Sequence, residues 1–155
     1  AGDFNFDDTW TCEDVDGLYD AIFNGSSRAE FDMNGDGAFT PADVGEWLAQ
    51  AGNVLLASGQ PLLAGDANLD GTVDGADFLV WNDNKFTSPG SWCAGDFNAD
   101  GTVDGADFVL WNSNKFRSAD SVAVPEPQVG LALFWGSLLM GASLRRVPRT
   151  RTAIS

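Results

Sequence analysis

The chain contains no histidine, two cysteines and one tyrosine among 155 residues, and only eight Lys+Arg stand against 23 Asp+Glu. Each shortage closes a class of chemistry. Without histidine there is no Ser-His-Asp triad, no Cys-His pair and no His-ligated zinc. Two thiols are too few for a four-cysteine zinc site or an iron–sulfur cluster. Scarce positive charge argues against nucleic-acid binding, because phosphate contacts need Lys and Arg. Carboxylate is what the chain has in excess, and its formal net charge is −15. Hydrophobic residues make up 44%, with six Trp and 11 Phe, so this charge belongs to a chain that can build a core rather than to a disordered one. Carboxylates in that setting point to hard cations.

The length allows one domain, or two small modules plus a tail. Residues 1–120 hold 22 Asp+Glu and four Lys+Arg, a net of −18, whereas residues 121–155 hold Glu126 and four Arg, a net of +3. The opening on Ala1 rather than Met, with no leader peptide, predicts a fragment of a longer precursor.

A repeat dominates the acidic part. Residues 65–86 (GDANLDGTVDGADFLVWNDNKF) and 95–116 (GDFNADGTVDGADFVLWNSNKF) agree at 17 of 22 positions. The same skeleton returns in weaker form at 32–43 (DMNGDGAFTPAD) and 3–14 (DFNFDDTWTCED). We number these loops 1 (3–14), 2 (32–43), 3 (66–77) and 4 (96–107). They form two pairs: 1–56 is a degenerate pair, 57–63 a linker within the Gly/Pro-marked stretch 51–64, and 64–117 the stronger pair. Each loop precedes a helix-like run. Val15, Leu18, Ile22 and Phe23 share one helical face that Asn24-Gly25 would end, and Val44, Trp47, Leu48 and Ala51 share another. Phe78 with Trp81, and Phe108 with Trp111, predict apolar faces on two helices of about ten residues, short enough to depend on packing.

Loop 3 places oxygen-bearing side chains at position 1 (Asp66), 3 (Asn68), 5 (Asp70), 9 (Asp74) and 12 (Asp77), with Gly71 at 6 and the Thr72 carbonyl available at 7. Alternating ligands at 1, 3 and 5 let a chain curl round a cation, the glycine permits the sharp turn, and position 12 closes the sphere. Loop 4 repeats the set with Asp96, Asn98, Asp100, Thr102, Asp104 and Asp107. Loop 2 offers Asp32, Asn34, Asp36, the Ala38 carbonyl and Asp43, with Thr40 at position 9. Loop 1 offers Asp3, Asn5, Asp7 and Asp14, but Asp8 stands where the glycine belongs and bulky Trp10 at position 8. The expected cofactor is Ca²⁺, two ions in the stronger pair and up to four in all. Val73, at position 8, is predicted to pack against its counterpart in the paired loop. Asp at position 12 in place of the Glu of a sensor EF-hand disfavours a groove-opening switch. No entering helix fits before Asp96.

Duplicated D-x-N-x-D-G-x-V-x-x-x-D loops, each followed by a helix, resemble the type I dockerin family. Residues 65–116 carry the resemblance most fully. It implies an all-α fold of small EF-hand-like loop–helix repeats in two pairs. It also implies a pseudo-two-fold module that docks onto a cohesin domain and attaches polysaccharide-degrading enzymes to a scaffold. The family's Ser/Thr pair at positions 10 and 11 is replaced here by Gly75-Ala76 and Gly105-Ala106. The expected partner is thus a cohesin-like or another envelope protein.

In the tail, Val124, Pro125, Glu126 and Pro127 precede sixteen uncharged residues, 129–144, and then Arg145, Arg146, Arg149 and Arg151. Sixteen helical residues span about 24 Å, near the ~30 Å hydrocarbon core. The expected organisation is a linker with the VPEP box at 118–128 and a C-terminal hydrophobic, membrane-spanning helix with its Arg cluster at 129–151. This order resembles the PEP-CTERM sorting signal, which implies an exosortase-like processing enzyme, export, and an anchored position at the bacterial envelope, surface or extracellular matrix. Cys12 and Cys93 leave two readings open, one disulfide in an oxidising compartment or two buried thiols. No catalysis is expected within the chain: Asp74 and Asp77 could pair as acid and base, yet every clustered acid already has a loop position. The alternatives to an attachment module are the C-terminal appendage of a secreted glycoside hydrolase and a structural matrix or adhesion protein.

Overall fold

A computed structural model describes residues 2–121. The expectations for residues 124–127 and 129–151 lie outside these described residues. Within them the protein is all-α, with four helices, two single-turn 3₁₀ segments (Ala29–Phe31 and Trp92–Ala94) and two isolated bridges in place of any strand. The helices are α1 (Cys12–Asn24), α2 (Pro41–Leu55), α3 (Gly75–Asn84) and α4 (Gly105–Asn114). Among the described residues no helix is long and apolar enough to cross a membrane.

All four helices start by the same device. The N-cap is position 9 of the preceding loop (Thr11, Thr40, Asp74 and Asp104), and its side chain accepts from the second helical N–H. Position 12 is the third helical residue, and its carboxylate accepts from the N-cap amide, which completes a capping box. Thr and Asp both cap well, so the Thr40-for-Asp exchange at position 9 preserves helix initiation.

The α2 face is as the periodicity predicts, with Val44, Trp47, Leu48 and Ala51 all buried. On α1 the buried face is rotated: Val15 and Leu18 are joined by Tyr19 and Ala21, while Phe23 is 40% exposed. The stretch 51–64 is not all connector, since Ala51 and Gly52 are buried within α2. The chain at Gln60 crosses so close that a Cβ on Gly52 would lie 1.9 Å from its carbonyl oxygen. Leu62, inside the predicted 57–63 linker, is buried and donates its N–H to the Leu48 carbonyl.

The stronger repeats meet about an approximate two-fold relation. Phe78 and Trp111 have ring centroids 5.1 Å apart, as do Trp81 and Phe108. Trp81 Nε1 donates to the Asp104 carbonyl and Trp111 Nε1 to the Asp74 carbonyl, both at 2.8 Å. Gly65 and Gly95 let the opposite helix approach: a Cβ there would lie 2.9 Å from the Trp111 Cα and 2.8 Å from the Trp81 Cα. At position 8 both Val73 and Val103 are fully buried. Val73 exchanges backbone hydrogen bonds with Phe116 and Arg117, and Val103 with Phe86 and Thr87. Each loop is thus laced to the segment leaving the other repeat's helix. The two cysteines form a disulfide, Cys12–Cys93, with Cα atoms 5.8 Å apart. A single 3₁₀ turn, Trp92–Ala94, stands where an entering helix would precede loop 4.

Candidate functional site

The four loops share one hydrogen-bond lattice. In loop 3, Asp66 accepts from Asp70 N (3.2 Å) and Gly71 N (2.9 Å), Asn68 Oδ1 from Asp70 N (3.0 Å), and Asp70 Oδ1 from Thr72 N (2.8 Å). Loop 4 repeats each bond with Asp96, Asn98 and Asp100. Loop 2 does so with Asp32, Asn34 and Asp36, and loop 1 with Asp3, Asn5 and Asp7. The sequence-predicted residues at positions 1, 3 and 5 are therefore brought together in every loop, with side-chain oxygens turned inward on the curl.

The curl needs two left-handed residues, at positions 4 and 6, and the spacing argument identifies only the second. Position 6 has φ of +65° (Asp8), +87° (Gly37), +84° (Gly71) and +88° (Gly101). Position 4 has +62° (Phe6), +75° (Gly35), +63° (Leu69) and +55° (Ala99). Phe and Leu are costly there. Only Gly35 announces the requirement in the sequence, and loop 1 meets it with no glycine at either position.

Position 12 is fully buried in all four loops, and its carboxylate is the hub of the lattice. Asp77 accepts from Ala67 N (2.8 Å), Asn68 N (3.3 Å) and Asp74 N (2.7 Å). Asp107, Asp43 and Asp14 accept from the equivalent three amides. The expected ligand at position 12 is thus also a structural acceptor, and the side chains of Asp74 and Asp104 cap helices. The S/T/D-x-x-D spacing before each apolar run is the sequence signal for both roles.

Burial separates the stronger pair from the weaker. Asp66 and Asp96 are fully buried, while Asp3 and Asp32 are only half-buried. Burial, with Asp77 and Asp70 adding repulsion, pushes the Asp66 carboxyl up to about 7 against the pull of the Gly71 N–H. The same cause takes Asp96 to about 6, and raises Asp77 and Asp107.

A cation fits this donor chemistry in loops 3 and 4: all-oxygen, carboxylate-rich and hard. The position-7 carbonyls of Thr72, Thr102 and Ala38 accept no hydrogen bond among the described residues, which leaves them available as ligands. The arrangement is not preset, however. Among the described residues no group of three or more Asp, Glu or Cys side chains is gathered so as to hold a metal ion. In each loop the carboxylates are engaged by amides, and the Asn side chain donates to the position-5 carboxylate, as Asn68 does to Asp70 at 2.9 Å. Comparison with family models, with curated proteins and with solved structures finds no match.

Proposed function

We propose that the chain is a calcium-binding, dockerin-like, non-catalytic attachment module, exported and carried to the bacterial envelope by its PEP-CTERM-like tail. The observation that carries this reading is the repeated lattice: position-1, -3 and -5 oxygens on one curl with an unpaired position-7 carbonyl, in two nearly identical loops whose first and last carboxylates are buried. The residues that would hold the ion are Asp66, Asn68, Asp70, Thr72 and Asp77, and their equivalents in loop 4. Bound there, a divalent cation supplies the positive charge that four carboxylates per loop lack. The chain's part is to orient those oxygens and to exclude water from the first and last of them by burial.

The attachment role is supported by exposed apolar side chains at equivalent positions of the two repeats. Leu79 and Val109 are each 59% exposed, and Phe86 and Phe116 each 79%. Apolar groups displayed in this way mark contact surfaces. The Cys12–Cys93 disulfide agrees with an oxidising, exported setting. Far-ultraviolet circular dichroism and thermal melting in calcium and in chelator test the reading. Calcium is expected to raise the melting temperature and helicity, and identical curves in the two conditions would sink it.

A further inference from the structure

Loops 3 and 4 are nearly identical in sequence, yet unrelated residues hold them in place. One stripe of α1, Cys12, Asp16, Tyr19 and Phe23, runs along loop 4 at the spacing of a single helical face. Cys12 is bonded to Cys93, three residues before position 1. The Asp16 carboxyl lies beside Ser91 and the Cys93 amide. Tyr19, 2% exposed, donates its hydroxyl hydrogen to the backbone carbonyl of Asp96, which is position 1 itself. The Phe23 ring covers position 6, where a Cβ on Gly101 would lie 3.0 Å from it. Of the stripe, Cys12 also approaches loop 3, its Sγ 3.9 Å from the Ala67 carbonyl oxygen, but position 1 and the turn of loop 3 are held by other residues. Its Asp66 carbonyl accepts from Trp92 Nε1 at 2.7 Å, and its Gly71 is covered by Leu56.

Holding the Asp96 backbone fixes the start of the loop, and covering Gly101 fixes its turn. Between them lies the Gly101 N–H to Asp96 Oδ2 bond, 2.8 Å long. A loop ordered beforehand loses less conformational freedom when it takes up a ligand. We propose that α1 is a brace for loop 4, and that its stripe sets the cation affinity of loop 4 independently of loop 3. This assigns the degenerate half of the chain a function of its own, and it rests on the calcium reading above.

The test is a calcium titration of the full chain followed at the amide signals of Gly71 and Gly101, in the native protein, Tyr19→Phe and Phe23→Ala. Tyr19→Phe keeps the ring in the core and removes only the hydroxyl. Phe23→Ala trims a partly exposed ring, which supplies a folded variant should the first fail. The midpoint at Gly101 is expected to rise about fivefold in Tyr19→Phe, the value of roughly one hydrogen bond, and at least about threefold in Phe23→Ala, while Gly71 stays within about twofold. Equal shifts at both glycines, or no shift at Gly101, overturn the brace. Hydrogen exchange of the Gly101 N–H in metal-free protein separates this failure from failure of the calcium reading. Faster exchange in Tyr19→Phe at Gly101 alone is expected, and unchanged exchange overturns the brace even in a chain that binds calcium. Native protein in which neither glycine responds to calcium overturns the calcium reading and the affinity claim together.

Discussion

Loops 1 and 2 and loops 3 and 4 have the same internal hydrogen bonds but different surroundings. In the first pair positions 3 to 6 are exposed, Asp8 and Gly37 at position 6 among them, and position 1 is only half-buried. In the second pair Gly71 and Gly101 are buried beneath Leu56 and Phe23, and Asp66 and Asp96 are fully buried. Local sequence therefore determines the curl, and tertiary burial determines how costly its negative charge becomes. An acidic loop on the surface can remain ionised in water, whereas a buried one must take up a proton or a cation.

The sharpest way to break this comparison is at position 12, where the two pairs do not differ. Asp77→Ala and Asp43→Ala each strand three amides around a buried position, and each is expected to cost about 3 kcal/mol or more in chelator. Chemical denaturation measures both. A large loss at Asp77 with a small one at Asp43 would show that the lattice is not common to the four loops.

Acidity reads the burial of loops 3 and 4. A carboxyl raised above its ordinary 3.8 stabilises the metal-free fold below that value, and the contribution is lost as pH rises through about 7 for Asp66 and about 6 for Asp96. Calcium needs the ionised form, so its affinity changes in the opposite direction. Between about pH 7.5 and pH 5.5, loops 3 and 4 are both expected to weaken severalfold or more. Site-resolved titration at the two pH values checks this.

Glycine replacement sharpens the contrast between the pairs. Gly37→Ala and Gly71→Ala both force an L residue to positive φ, but a Cβ at 71 would lie 2.5 Å from Leu56 Cδ2 whereas one at 37 meets nothing within 4 Å. Gly71→Ala is expected to cost about 1 kcal/mol or more beyond Gly37→Ala, measured by thermal melting. The smallest effect belongs to position 9. Thr40→Asp and Asp74→Thr exchange one good N-cap for another, so each is expected to change stability by under about 0.5 kcal/mol in chelator.

What the sequence made legible was local. The two ten-residue helices and the α2 face depend on neighbours within a turn, and these are as expected. The demand for positive φ at position 4 was hidden because Phe6, Leu69 and Ala99 carry no sign of it. The lacing of Val73 to Phe116 and Arg117, the burial of Leu62, and the brace of α1 on loop 4 join residues tens of positions apart, and no periodicity reports such contacts. The pairing of Cys12 with Cys93 stayed open for the same reason. The spacing predicts a ligand at position 12, and only the fold shows it as a buried acceptor of three amides.

The measurement closest to the central claim is a calorimetric calcium titration of the full chain beside the Asp66→Ala/Asp96→Ala double variant, both first stripped by chelator. The account predicts at least two bound ions for the native chain and the loss of the two tightest in the variant. A native chain that releases no heat of binding, or a variant that binds as the native chain does, would contradict it.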